Sequence, residues 1–458
     1  MSRIDRERIT AKADSLKIVI FLVVLLIGAV IALIIPLRPT RSELEKRELT
    51  KFPEFSTGAL LDGSYLAGVD SWYSDTFPFR EQLLSANSFV QNLKGVGGVM
   101  ITGTITDADD IPTDGGGVIA TLDDKTSENE SSQPASSQAE SAKNTEASSE
   151  SEVKPPVNVP TQMLGPLFVA GDAAYELYGF SKATSERYAA VINYAADMLN
   201  GVANVYDIII PNSTGVMLSE DVKKNVQTSD QKEAINYMFS VMSDKVKKVN
   251  IYDTLYAHRN EYIYFRTDHH WTQLGAYYAY TQFCAAKGIT PRALESYKTE
   301  KFPGFLGTFY AESGQAPVLG SNPDVVNAYY PKATNELTYY DAAGNPNAWK
   351  VIFDVSEWNA GSKYNAFIGG DNPWAVIENP EIKDGSSCVV IKESYGNAFV
   401  PFMVDHYQYT YVLDYRYYPG YLIDFVKEKG IKDVIYINNI MATGTEARIN
   451  DMIRLTKK

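Results

Sequence analysis

The strongest constraint on this chain is a set of short, nearly continuous apolar runs: Val205 to Pro211, Val249 to Leu255, Val389 to Lys392, Tyr409 to Leu413 and Val434 to Asn438. Strands with this pattern are covered on both faces, as in a parallel sheet. Between and around them lie segments with apolar residues at spacings of three and four, the pattern of a one-sided helix: Ser185 to Leu199, Gln231 to Val246, Thr272 to Lys287, Tyr421 to Lys429 and Glu446 to Leu455. Gly288 and Gly430 stand where helices stop. The alternation predicts an α/β fold, a mostly parallel sheet flanked by helices, with functional groups gathered at the C-terminal ends of the strands.

Ahead of that domain, Ile18 to Ile35 has no charged or strongly polar residue and is bounded by Lys17 and Pro36. This is long enough for a spanning helix, and no small-residue cleavage site follows it. The pattern predicts a cytoplasmic tail over 1–17, a transmembrane anchor over 18–36 and the N-terminal part of an extracellular domain over 37–103. An acidic, Ser-rich linker or insertion over 104–158 and the α/β domain over 159–458 follow. Lys and Arg are balanced on the two sides of the span, so the outside placement of the large domain rests on the short tail being the simpler part to leave behind. The linker lacks large apolar residues after Leu122 and cannot offset the entropy of ordering.

The net charge of −14 excludes a nucleic-acid surface, which needs a basic face. Residues 104–158 hold a net −9 of it, leaving −5 for the rest. There are 31 tyrosines against 5 tryptophans, which suits a surface that stacks on sugars and equally a large β-containing core. Cys284 and Cys388 lack metal spacing and read as buried thiols.

The chemistry concentrates in Thr267-Asp268-His269-His270-Trp271 and in Ser394. In an extended segment residues two apart share a side, so Asp268 reaches His270 and fixes its tautomer, while His269 points the other way, to pack or to bond backbone. Ser394 follows a predicted buried strand and precedes a stretch from Asn397 that can start a helix, a position that suits a nucleophile and also a plain N-cap. The amides of Ser394 and Tyr395 are oxyanion candidates there, with Asn397 beside them. Gly370 and Asn372, in a turn-forming stretch, are further oxyanion candidates. Arg416, after a predicted strand, either contacts substrate or is a salt-bridged loop arginine. Asp268, His269, His270 and His406 are metal-ligating residue types, but adjacent histidines are poor co-ligands and no motif such as HExxH accompanies them. The expectation is a Ser-His-Asp arrangement with neither metal nor cofactor.

The stretch Tyr264 to Thr272 resembles the namesake motif of the DHHW protein family of Gram-positive bacteria. The likeness extends through Glu48-Leu49 and Phe52-Pro53, Gly304 to Thr308, Lys392 to Phe402 and Asp414 to Tyr418. That family is similar to the alginate O-acetyltransferase-type branch of SGNH-hydrolase-like proteins, membrane-associated enzymes that O-acetylate polysaccharides outside the cytoplasm. The resemblance implies a permuted SGNH-like domain with Asp268 as orienter, His270 as base and Ser394 as nucleophile. It also implies a cell-surface polysaccharide as acceptor, the plasma membrane as location and a multi-pass acetyl-exporting acyltransferase as partner. A carbohydrate esterase with the same triad and a catalytically silent glycan-binding scaffold are the alternative expectations. One departure stands out: the family pattern has Asp immediately before the serine, and this chain has Glu393.

Overall fold

The computed structural model describes residues 159–458 except 225, together with 41–42, 47–48, 51–53, 55, 65, 69, 72–73, 76, 108–112 and 118–122. The expected anchor and tail lie outside the described residues, among which no helix is long and apolar enough to cross a membrane. The chain divides into two units, 1–98 and 99–458. In the first, Arg41–Ser42 pairs antiparallel with Arg47–Glu48, and Phe52 meets Trp72 edge-on at 4.7 Å.

The second unit is built on an eight-stranded sheet. In chain order its strands are β1 (Asn204–Ile210), β2 (Val246–Lys248), β3 (Glu336–Tyr340), β4 (Pro346–Lys350), β5 (Trp374–Glu378), β6 (Ser387–Lys392), β7 (Tyr409–Asp414) and β8 (Asp433–Asn439). The spatial order is β4-β3-β5-β7-β6-β8-β1-β2. The five strands from β7 to β2 are parallel, and β5, β3 and β4 add an antiparallel extension at one edge. The sheet is therefore mixed, not mostly parallel throughout. β3 and β4 were not visible as apolar runs because Glu336, Thr338, Asn347 and Lys350 interrupt them, and β5 offers only the four apolar residues Trp374 to Ile377.

The predicted strands at 205, 389, 409 and 434 are β1, β6, β7 and β8. The apolar run Val249 to Leu255 is not a strand. The pairing strand ends at Lys248, and the Asn250 side chain then accepts the Tyr252 amide at 3.0 Å, turning the chain into the helix Tyr252–Ala257. Burial of Val249 and Ile251 explains the apolar run without β structure. The principal helices are α1 (Lys182–Met198), α2 (Gln231–Ser240), α3 (Gln273–Lys287), α4 (Gly396–Met403), α5 (Leu422–Lys429) and α6 (Glu446–Thr456). α2 stops short of the predicted Val246 because residues 246–248 join the sheet as β2. Gly288 and Gly430 end α3 and α5 in left-handed conformation, and both cysteines are buried free thiols. The hairpin Lys298–Phe305 and Asp324–Tyr330 stands outside the sheet.

Two stretches within 104–158 depart from the linker reading. The Asp109 and Ala120 amides donate to the carbonyls of Phe180 and Val241, and Asn193 donates to the Ala120 carbonyl at 2.8 Å. Ile111, Ala120 and Leu122 pack against the part of the core built by α1, α2, α5 and α6. All lie at or before Leu122, where the sequence still holds aliphatic side chains to bury.

Asp207 on β1 is fully buried; one carboxylate oxygen accepts the Tyr188 hydroxyl at 2.6 Å and the other has no partner among the described residues. Burial raises this carboxyl to about 7, with the Tyr188 hydrogen bond opposing. Because the folded-state value lies above the unfolded one, its contribution is fully present below the unfolded carboxyl range and is lost as pH rises toward 7. Asp207→Asn is therefore expected to raise the urea midpoint at pH 8 and leave it nearly unchanged at pH 4, measured by equilibrium unfolding at both values.

Candidate active site

The Asp-His-His segment is not extended. Residues 266–270 form consecutive bends, closed by the Phe265 amide donating to the His270 carbonyl at 3.2 Å. The Asp268 Oδ1 atom accepts both the His270 amide at 3.0 Å and His270 Nδ1 at 2.6 Å, so a local turn at the aspartate aligns the ring. The same bend brings the His269 and His270 rings within 3.8 Å of each other instead of on opposite sides. Asp324, fully buried on the hairpin, pins this loop by accepting the Thr267 amide at 2.8 Å and the Thr267 hydroxyl at 2.6 Å.

The second carboxylate oxygen of Asp268 accepts the Thr308 amide at 2.8 Å and the Thr308 hydroxyl at 3.1 Å. His269 Nδ1 lies 2.6 Å from that hydroxyl. Gly307 is required by close approach: a Cβ there would lie 2.1 Å from Asp268 Oδ2.

On the far side of the imidazole, His270 Nε2 is 2.7 Å from Ser394 Oγ. Tyr364 stacks on the ring at 3.9 Å and donates its hydroxyl to the Ser394 carbonyl at 3.1 Å. Ser394 lies two residues beyond β6, in a turn where Ile391 to Val400 are all buried except the serine itself. The turn is tight because α4 starts directly against the strand: a Cβ at Gly396 would meet the Lys392 Cβ at 2.4 Å. Glu393 braces it. Its Oε1 accepts the Asn439 amide at the end of β8 at 3.0 Å, and its Oε2 accepts the Tyr395 amide and the Ser394 hydroxyl, each at 3.2 Å. The serine hydroxyl therefore lies within reach of two acceptors, His270 Nε2 at 2.7 Å and Glu393 Oε2 at 3.2 Å.

The other candidates fall into different places. The Tyr395 amide is taken by Glu393 and its hydroxyl by the His269 carbonyl, so Tyr395 supports the loop and offers no oxyanion donor. The Ser394 amide has no protein acceptor among the described residues and keeps that role open. The Gly370 amide donates to the Phe367 carbonyl at 3.0 Å, and Asn372 takes no part in the hydrogen bonds of the triad. Asn397 is buried and donates to Asp371 at 3.0 Å, while its Oδ1 has no partner among the described residues.

Arg416 belongs to an ion network. It grips both oxygens of Asp414, at 2.8 and 2.6 Å, and reaches Asp371 at 2.8 Å, while Lys392 bonds Asp371 at 2.8 Å and Asp414 at 3.0 Å. Two cations balance two carboxylates. Burial would push the Asp371 carboxyl up, but Arg416 and Lys392 hold it far below the ordinary range. The salt-bridged reading of Arg416 is the observed one, because β7 delivers Asp414 beside it.

Asp268, His269 and His270 hold potential ligand atoms within 4.8 Å of one another, but His270 already uses both ring nitrogens, on Asp268 and Ser394. His406 is elsewhere, hydrogen-bonded to Tyr280. Nearby, burial and the carboxylates Glu312, Glu393 and Asp268 raise the half-buried Glu176 to about 7. Sequence reasoning missed Thr308, Asp324 and Tyr364. Only Thr308 carried a signal, lying in the Gly304 to Thr308 stretch.

Chemically, a carboxylate-held imidazole 2.7 Å from a half-exposed serine can remove its proton. The DHHW protein family model matches residues 45–413, most of the chain and all three of these residues. The chain belongs to the DHHW family. A DHHW family protein from Eubacterium siraeum is similar in structure at TM-score 0.61 and 31% identity, over 66% of this chain and 100% of that one. PatB1 of Bacillus cereus shares the fold at TM-score 0.51 and 18% identity, over 64% of this chain and 99% of that one. PatB1 with a sulfonyl adduct matches at TM-score 0.52 and 18% identity, over 66% and 99%. No curated protein matches the chain.

Lys392→Met leaves Asp414 with one cation instead of two in a buried setting. The expected loss of stability is about 3 kcal/mol, read from the urea midpoint at constant slope.

Proposed function

We propose that the chain is a membrane-anchored, extracytoplasmic O-acetyltransferase with an SGNH-like domain, acting on a cell-surface polysaccharide through an acetyl-Ser394 intermediate. The observation that carries this reading is the relay from Asp268 through His270 to Ser394, with contacts of 2.6 and 2.7 Å at the two ring nitrogens. The resemblance to the alginate O-acetyltransferase-type proteins supplies the acyl group and the acceptor class.

In the first half-reaction His270 Nε2 takes the Ser394 proton as Oγ attacks the acetyl carbonyl of a donor ester or thioester. The tetrahedral intermediate collapses by breaking the bond to the donor oxygen or sulfur, and the imidazolium returns the proton to that leaving group. In the second, a sugar hydroxyl gives its proton to His270 and attacks the acetyl-serine. Collapse releases the acetylated sugar and reprotonates Ser394. Asp268 holds the tautomer and stabilises the imidazolium in both steps. The residues need no metal or cofactor for this sequence. The donor must be available outside the membrane, which makes a multi-pass acetyl-exporting acyltransferase the fitting partner.

Hydrolysis uses the same intermediate with water in place of the sugar. The half-exposed Ser394 gives this second reading, a carbohydrate esterase, its support.

Intact-mass spectrometry of the detergent-solubilised full chain after exposure to an activated acetyl ester tests the reading. One +42 Da adduct is expected, the mass of one acetyl group, absent in Ser394→Ala. A folded wild type with neither adduct nor ester turnover would overturn it. In steady-state assays on a small acetyl ester, Asp268→Asn is expected to lower kcat by about 10⁴-fold through the wrong tautomer. Glu393→Ala removes the brace between β8 and the serine turn and is expected to lower kcat about 10²-fold, with the circular dichroism spectrum unchanged.

A further inference from the structure

The antiparallel extension of the sheet has two unlike faces. Leu337, Ala375, Ile377 and Val412 point into the core and are buried. Their alternates on the other face stay half-exposed or, at Glu378, exposed, and the register lines them up in rows: Tyr340 opposite Trp374, Val376 between Thr338 and Tyr411, and Glu378 opposite Tyr409. Together with Lys429 of α5 these rows line an open cavity of about 630 Å³, to which Asp268, His270 and Ser394 do not contribute. That volume lies within the range of about 300–1,000 Å³ of small-ligand sites.

The lining is neither an apolar protein-docking face nor a charged patch. Tyr340 and Trp374 lie parallel at 3.7 Å and 5°, and Tyr409 and Tyr411 stand 6.2 Å apart at 24°, giving two pairs of nearly parallel rings. Polar groups border the rings: Glu336, Glu378, Thr338 and Lys429. The Tyr409 hydroxyl reaches Glu378 at 3.4 Å. A pyranose has matching features, an apolar C–H face to lie on an aromatic ring and equatorial hydroxyls to bond carboxylates and threonines at the edge. Charge complementarity narrows the class. Glu336 is paired with Lys350 and Lys429 with Glu428, and Glu378 adds one further carboxylate, so the rim has no surplus of positive charge for a polyanion and suits a neutral or N-acetylated sugar chain.

We propose that this face is a second glycan-binding site, separate from the catalytic groups, that holds a neutral oligosaccharide strand across the rings of Tyr340, Trp374, Tyr409 and Tyr411. A polymer retained there stays at high local concentration near the protein, whatever chemistry Ser394 performs.

Isothermal titration calorimetry on the full chain in detergent micelles tests this with chitohexaose and cellohexaose as probes and hexagalacturonate as the polyanionic control. At least one neutral hexasaccharide is expected to bind, equally to wild type and to Ser394→Ala, which separates this site from the acetyl-transfer reading. Tyr340→Ala and Trp374→Ala are each expected to weaken binding at least tenfold while ester turnover stays at the wild-type rate. Trp374 also packs on Phe425, so Tyr340→Ala and Glu378→Gln provide the decisive reading if Trp374→Ala misfolds. The proposal is overturned if neither neutral probe binds, if binding survives Tyr340→Ala and Glu378→Gln unchanged, or if hexagalacturonate binds as tightly as the neutral chains.

Discussion

The site depends first on how one buried carboxylate is satisfied. Asp268 is almost completely buried, and each of its oxygens receives two hydrogen bonds, one pair from His270 and one from Thr308. A carboxylate without such partners is costly in a protein interior, so the segments that supply them must come together for the domain to close. Gly307 leaves the room that this approach needs. Asp324 repeats the logic one layer back, holding Thr267 from the hairpin. The imidazole is thereby fixed from behind by backbone and hairpin, and from its face by Tyr364.

The nucleophile turn is stabilised by a different device. Lys392, the last residue of β6, carries its ammonium to Asp414 at the end of the neighbouring β7 and to Asp371 in the loop before β5. Adjacent parallel strands and the loop beside them are tied by charge at the point where their ladders end. Glu393 reaches the other way, to Asn439 at the end of β8. The longer side chain that departs from the family pattern is thus accommodated by spanning to a second strand. Consecutive residues before Ser394 brace it toward opposite neighbours, and the serine alone is left half-exposed.

Much of the parallel core was legible because a strand buried on both faces leaves an unbroken apolar run, as β1, β6, β7 and β8 do. The run at Val249 misled for the same reason: burial makes residues apolar whether they enter a strand or a helix start. β3 and β4 were not legible, since Glu336, Thr338, Asn347 and Lys350 interrupt their patterns, and the apolar part of β5 is only four residues long. At the site, Asp268 and His270 were readable as neighbours two residues apart, although the turn that joins them is a bend and not a strand. Arg416 was ambiguous because a charged residue after a strand can face a ligand or another charge, and only the position of Asp371 and Asp414 decides which. Tyr364 and Asp324 act across 94 and 57 residues of separation and leave no local pattern.

By itself the sequence determined the local events. These are the strands long and apolar enough to be buried, the carboxylate beside the imidazole, the glycine that lets α4 begin against β6, and the serine between them. Local chemistry acts over a few residues, so it is written in a few residues. The tertiary structure decided the contact between His270 and Ser394, which are 124 positions apart. It also decided the ion network around Lys392 and the half-exposed aromatic face of the antiparallel extension. Each depends on which strands lie side by side, and that order is set by the packing of the whole domain.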